Sequence, residues 1–282
     1  LLPVERGLPE AQRAALIRQT TDFAEHADDP VLRAAGLAAI ASALRASPPD
    51  RAQAQALLDR ALAALPSIDS VADRAFVVAS LLPALQSLAP DEVLPELADL
   101  AGHGSALLEH GSLAKTPLIT LLRRWRPAAC APPQDAVALL CRFAELYLDQ
   151  SIGDYAGVAL SVIVPDLCRL GEQERALALI ERCWQRDAVE GARIVSYAAA
   201  ELRAFFPAEL PGWLAAAGSL TDASHHDLAI NRQIFTATLA DALAASGDWP
   251  GALDLAATLT GSERIDALIG LLRRTGAAFA AD

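Results

Sequence analysis

The stretch "LAASGDWPGALDLAATL" at residues 243–259 joins two apolar segments through a short polar break. The break contains Gly247 and Asp248, and apolar residues then recur at helical spacing from Trp249 to Ala256. Glycine is frequent just after the end of a helix, and aspartate is frequent at the start of one. The stretch therefore predicts a helix, a tight turn and a second helix.

A second copy of this pattern lies earlier in the chain. In "LCRLGEQERALALIERCW" at residues 167–184, Gly171 and Glu172 stand 76 positions before Gly247 and Asp248. Three further pairs of segments are similar to each other: LPALQSL with VPDLCRL, PDEVLPELADLAG with PAELPGWLAAAG, and LITLLRR with LIGLLRR. Their offsets are multiples of roughly 37 to 41 residues, which indicates an internal repeat.

The repeat predicts alternating long and short helices. The long helices are expected near residues 30–46, 68–88, 103–124, 152–170, 188–205, 222–246 and 261–275. The short helices are expected near residues 49–65, 90–101, 134–149, 172–186, 207–218 and 248–259. Proline or an acidic residue opens most short helices, as suits a first helical turn. Pro83, Pro117 and Pro165 fall inside long helices and are expected to kink or split them.

One helix pair of this kind cannot bury its apolar face alone, whereas stacked pairs can. The sequence therefore predicts an all-α fold, a right-handed superhelical α-solenoid of about six helix-turn-helix repeats with a period of about 38–41 residues. We expect one domain over residues 1–282, in which residues 8–26 form an N-terminal capping helix and residues 30–275 form the repeats.

The turn also resembles a known family. "ASGDWPGAL" is similar to the start of the second helix in a tetratricopeptide repeat, where the usual pattern is Gly-Asp-Tyr-x-x-Ala-Leu. The matching residues are Gly247, Asp248, Trp249, Ala252 and Leu253, with a weaker match at Gly171, Glu172, Ala176 and Leu177. The period is longer than the family's 34 residues and nearer to that of HEAT repeats. The resemblance implies a protein-binding scaffold or a sensor module.

Charge and composition exclude some classes of partner. The net charge is −12, so we expect no nucleic-acid partner and favour a basic protein or peptide. The longest uncharged run, residues 75–90, contains Pro83 and is too short to span a membrane, so no membrane association is expected. The four cysteines lack C-x-x-C spacing and indicate free thiols in a reducing, cytoplasmic compartment.

No set of residues has the spacing of a catalytic or metal site. His103 and His110 stand seven positions apart, too far along a helix to share an ion. The string "SHHD" at residues 224–227 fits a helix cap better than a triad, whose members must converge from different directions. Phosphate-binding and hydrolase patterns are absent from the sequence. We therefore predict no catalytic residues, no metal and no cofactor.

A set of polar and aromatic residues recurs in the repeat register and is the candidate binding site. Tyr155, Arg193 and Asn231 are spaced at intervals of 38 residues. The full set of predicted partner-binding residues is Arg74, Lys115, Tyr155, Arg193, Tyr197, Asn231 and Phe235. Stacked repeats are expected to align these side chains along a groove that binds an extended peptide.

Three functions remain open at this point. The first is a non-catalytic scaffold that binds a protein or peptide in the groove. The alternative is a sensor that encloses a small molecule or signal peptide, and a helical-repeat enzyme is a third reading. An acidic mimic of nucleic acid is disfavoured because the carboxylates are scattered. Oligomeric state does not follow from the sequence.

Overall fold

The computed structural model describes residues 10–103, 112–127, 132–149, 156–222 and 232–279, and within these ranges the chain forms helices and turns without a strand. The helices are α1 Glu10–Glu25, α2 Pro30–Leu44, α3 Arg51–Ala64, α4 Val71–Leu88, α5 Val93–Gly102, α6 Ser112–Arg124, α7 Pro133–Asp149, α8 Ala156–Arg169, α9 Gln173–Arg186, α10 Ala188–Leu202, α11 Leu210–Asp222, α12 Arg232–Ser246, α13 Trp249–Thr258 and α14 Gly261–Phe279. The predicted all-α fold is confirmed.

The helix boundaries differ from the prediction mainly where prolines open the short helices. Pro48–Asp50 and Pro90–Glu92 form single 3₁₀ turns, and α3 and α5 begin only after them. Leu210 begins α11, three residues after the expected proline start. The prolines therefore lie in the turn that leads into the helix.

The two turns that revealed the repeat have the same geometry. Gly171 and Gly247 have φ angles of 88° and 99°, a left-handed conformation that glycine adopts without steric cost. In each turn the residue after the glycine donates its N–H to the carbonyl five residues earlier, at 2.9 Å. The glycine N–H bonds to the carbonyl three residues earlier, at 3.0 or 3.1 Å. Both turns are Schellman caps.

Side-chain oxygens begin several helices at the predicted positions. The carboxylate of Asp187 accepts from the N–H groups of Val189 and Glu190, and that of Asp248 accepts from the N–H of Gly251 at 3.0 Å. Such caps satisfy N–H groups that have no partner within the helix. The positions at which the helices end and begin therefore follow from the local sequence.

The chain divides into two compact units, one ending at Phe143 and the other beginning at Ala144. In the first unit, α2 packs against α1, α3 and α4, and α4 packs against α5 and α6. In the second unit, α10 packs against α8, α9, α11 and α12, and α12 packs against α13 and α14. Helices α2, α4, α8, α10 and α12 thus each contact a short partner and the next long helix. The single domain and the right-handed superhelix stay predictions.

Proline does not split the long helices, because α4 continues through Pro83 and α8 through Pro165. Proline has no N–H, so the carbonyl four residues before it loses its usual donor. For Pro83 that carbonyl belongs to buried Ala79, and Arg124 Nη1 from α6 donates to it at 2.8 Å. A neighbouring helix therefore supplies the hydrogen bond that the proline removes.

Replacing Arg124 by alanine is expected to lower the free energy of unfolding by about 1–2 kcal/mol, because the buried Ala79 carbonyl loses its donor. Arg123 provides the matched control, since it is exposed like Arg124 but is not the donor to Ala79, and Arg123→Ala is expected to change stability by less than about 0.5 kcal/mol. Urea unfolding of the two variants checks this. Equal effects would show that the Arg124 hydrogen bond does not stabilise α4.

Helix α4 is long and apolar enough, by length and composition alone, to cross a membrane, and no other helix in the described ranges is. Core helices meet the same criterion, and many of its apolar side chains are buried within this fold. The buried residues are Ala75, Val77, Val78, Ala79, Leu81, Leu82, Ala84 and Leu85. Their burial is that of a core helix.

Candidate functional site

Arg193, a predicted groove residue, is buried between helices. Its Nη1 pairs with the carboxylate of Glu190, one turn earlier on α10. The other carboxylate oxygen of Glu190 accepts the backbone N–H of Gly157, in the first turn of α8, at 2.6 Å. Glu190 therefore caps one helix from another, and Arg193 balances its charge. This position joins α8 to α10 and does not face a groove.

The other predicted binding residues have different environments. Tyr197 on α10 is exposed, whereas Phe235 on α12 is 3 % exposed and belongs to the core. Phe235 therefore does not join Tyr197 on an exposed surface. Tyr155 and Asn231 lie outside the described residues. The same is true of His110, of residues 224–227 and of the side chain of Lys115.

Arg74 and Arg193, which the repeat register treats as equivalent, lie at different distances from the start of their helices. Arg74 stands four residues after the N-cap Ser70, whereas Arg193 stands six residues after the N-cap Asp187. Two residues turn a helix by about 200°. Counted from the N-caps, the directions of the two arginines thus differ by more than half a turn, although their spacing in the sequence is close to a multiple of the repeat.

Arg74 instead lines a cavity of about 250 Å³ in the first unit, which we call the α3–α5 cavity. It lies among the end of α3, the turn after α3, the first half of α4 and helix α5. Its apolar wall includes Leu62, Leu65, Val78 and Leu100, and its charged residues are Arg74, Glu96 and Asp99. This is the candidate functional site.

The charges of the cavity are incompletely paired. Arg74 Nη1 donates to Asp99 Oδ2 at 3.1 Å, while Arg74 Nε is buried and has no hydrogen-bond partner in the described ranges. Burial raises the pKa of the Glu96 carboxyl above its usual value; nearby Asp99 and Glu92 raise this pKa further, and Arg74 lowers it. A half-buried carboxylate beside like charges attracts a cationic group.

Glu96 and Asp99 were not predicted as site residues, although the sequence carries a signal for them. Glu96 and Asp99 are three residues apart on one side of α5, and Glu92 stands four residues before Glu96, in the turn that precedes α5. Like charges at this spacing destabilise an isolated helix. Such a stripe could have indicated a site for a positive group. Its position beside Arg74 depends on the packing of α4 against α5, which helical periodicity does not reveal.

In the described ranges, Cys168 and Cys183 are buried free thiols, and Cys141 is partly exposed. Burial raises the pKa of the Cys168 thiol to about 11 and that of Cys183 to about 12. Thiols with raised pKa values remain protonated and unreactive at neutral pH. Within the described ranges, no three His, Cys, Asp or Glu side chains are grouped so that they could hold a metal ion.

Comparisons with known proteins assign no family. No protein-family model matches the chain. No curated protein shows significant sequence similarity to it. Among solved structures, the chain is similar to the crystal structure of Ton1535 from Thermococcus onnurineus NA1, at 16% identity and a TM-score of 0.41. The match covers 95% of this chain and 77% of that chain. Similarity at this level supports no inference about fold or function.

Proposed function

We propose that the chain is a non-catalytic interaction module that binds a protein or peptide, and that the α3–α5 cavity receives a basic side chain of this partner. The observation that carries the proposal is the half-buried Glu96 carboxylate beside an apolar wall. Lysine and arginine combine an apolar stem with a cationic head. One such side chain therefore complements both parts of the cavity.

The size of the cavity supports a side chain as its occupant. Sites for drug-sized ligands and cofactors usually enclose about 300–1,000 Å³, and the α3–α5 cavity is about 250 Å³. It is thus smaller than the pocket that the alternative function, a small-molecule sensor, usually requires. A subsite for one residue of a larger partner fits the volume better.

Net charge favours the same class of partner. The chain carries a net charge of −12, and an acidic protein attracts basic partners over long range and accelerates their association. In the second unit, exposed Tyr197 remains available for contact from the predicted set. Helix pairs stacked as in tetratricopeptide repeats provide the scaffold in this proposal.

Nuclear magnetic resonance titration with short capped peptides tests the proposal. The probes are Ac-Gly-Lys-Gly-NH₂, its arginine analogue and an uncharged norleucine analogue. We expect the lysine and arginine peptides to shift the Glu96 side-chain carboxyl resonance and those of the apolar wall, and the norleucine peptide to shift them much less. No shift with either basic peptide, or equal shifts with norleucine, would contradict the proposal.

Affinity for the lysine peptide is expected to fall as the pH is lowered from about 7.5 to about 4. Because the pKa of Glu96 is raised by burial, its carboxyl takes up a proton at a higher pH than an ordinary glutamate does and loses the charge that attracts the cation. The free folded state gains stability from this protonation, so Glu96→Gln is not expected to destabilise the fold. The measurement is the dissociation constant as a function of pH.

The control for this pH dependence is the Glu96→Gln variant. Its affinity for the lysine peptide is expected to be weak and nearly constant over the same range. A wild-type affinity that is independent of pH would show that another group binds the cation.

A further inference from the structure

Helix α14 carries apolar side chains on two faces. Toward the fold, Leu271 joins a buried cluster with Ala240, Ala244, Ala252 and Ala256, against which Ala267 also packs. Toward solvent, four large apolar side chains follow each other at helical spacing. They are Ile265, Leu268, Ile269 and Leu272, with 60%, 36%, 40% and 68% of their surface exposed. We call these four residues the α14 face.

The spacing of the α14 face is the same in both directions along the helix. Rotation by 180° about a point midway between Leu268 and Ile269 exchanges these two positions and also exchanges Ile265 with Leu272. Two antiparallel copies of α14 would therefore bring apolar residues opposite apolar residues along the whole face. A two-fold interface requires this kind of self-complementarity.

The charges beside the α14 face are also complementary to a second copy. Asp266 and Arg273 are exposed and stand seven residues apart, nearly two helical turns, so they lie on the same side of the face. When two helices pair antiparallel about a two-fold axis, the same side of each helix faces the other. Asp266 of one copy then lies within about 3 Å, along the axis, of Arg273 of the other.

The neighbouring arginine does not compete for this pairing. Arg274 is partly buried and forms a bidentate ion pair with Asp241 of α12 in the same chain. Arg273 is exposed and has no ion-pair partner among the described residues. Each copy therefore offers one acidic and one basic group to the other, and the two-fold axis forms this pairing twice.

We propose that a second copy of this chain covers the α14 face and forms an antiparallel two-fold dimer. The apolar spacing and the adjacent charges both match the face to itself, and for this reason we favour a second copy over an unrelated partner. The proposal uses residues of α14 alone and does not depend on the α3–α5 cavity.

Sedimentation equilibrium of the whole chain over a range of concentrations tests the dimer. We expect a concentration-dependent dimer, and Leu272→Glu is expected to raise its dissociation constant by about 100-fold, since the symmetry places the substitution in the interface twice. Leu253→Glu on α13 is the matched control, because Leu253 is 51% exposed and lies outside the face. It is expected to leave the dissociation constant unchanged.

Charge reversal distinguishes the antiparallel arrangement from nonspecific association. Asp266→Arg and Arg273→Asp should each weaken the dimer by about tenfold, and the double variant should restore most of the loss. A wild-type chain that remains monomeric up to about 100 µM would overturn the proposal. So would a dimer that Leu272→Glu does not affect, or a double variant without recovery, since another surface or another arrangement would then be responsible.

Discussion

Replacing Gly157 by alanine is expected to lower the free energy of unfolding of the second unit by about 3 kcal/mol. Helix α8 passes so close to α10 that an added Cβ would lie 2.7 Å from the Cβ of Arg193, and closer still to the carbonyl oxygen of Glu190. These obstacles are a backbone atom and a Cβ, which cannot move without shifting the helix. Urea unfolding followed by circular dichroism measures the loss.

Gly218 gives the matched control for this substitution. It lies within α11, and a Cβ there would meet no atom within 4 Å. Alanine loses less backbone entropy than glycine when a helix forms, so Gly218→Ala is expected to raise stability by about 0.5–1 kcal/mol. If Gly157→Ala is tolerated as well as Gly218→Ala, the close contact of α8 with α10 is contradicted.

Replacing Glu190 by alanine is expected to cost about 3–5 kcal/mol, because it removes one member of a buried ion pair. The substitution deprives the Gly157 N–H of its acceptor and the buried Arg193 guanidinium of a carboxylate. The loss is not expected to add to that of Gly157→Ala, since both variants disturb the same contact.

Two further variants separate the contributions at this position. Glu190→Gln keeps an oxygen acceptor but removes the charge, so its cost should fall between that of alanine and zero. Glu181→Ala removes an exposed carboxylate from α9 and is expected to change stability by less than about 0.5 kcal/mol. Similar costs for Glu190→Ala and Glu181→Ala would show that the buried pair does not hold α8 to α10.

Sequence predicted the local features of the fold because they depend on neighbouring residues. Gly171 and Gly247 were identified from a spacing of 76 residues, and both adopt the left-handed conformation that ends a helix. Asp248, predicted at the start of a short helix, begins α13 through its own side chain. Helix ends and starts of this kind depend only on neighbouring residues, so the local sequence pattern was sufficient to predict them.

Side-chain direction was not predicted, because it requires the exact phase of each helix. The 38-residue spacing gave the position of Arg193 along its helix but not the face on which it lies. A difference of one or two residues in the start of a helix turns a side chain toward the core or toward solvent. Phe235, predicted to face a partner, is therefore found in the core.

The α3–α5 cavity could not be predicted from the sequence for a further reason. Its charged residues come from two helices, and Arg74 meets Asp99 across 25 residues of sequence. Only Arg74 belonged to the predicted set, and its prediction rested on the repeat register and not on a pairing with Asp99. Whether residues of α4 and α5 meet depends on how the two helices pack. The periodicity of apolar residues in the sequence does not show this packing.

A double-mutant cycle between Glu96 and the basic residue of the peptide measures the proposed contact. Isothermal titration calorimetry gives the affinities of the lysine and norleucine peptides for the wild type, Glu96→Gln and the exposed-site control Glu181→Gln. We predict that Glu96→Gln weakens lysine binding by about tenfold, a coupling of about 1.4 kcal/mol, with little effect on norleucine. The control should bind like the wild type. Equal losses for both peptides with Glu96→Gln would contradict a cation-binding role for the α3–α5 cavity.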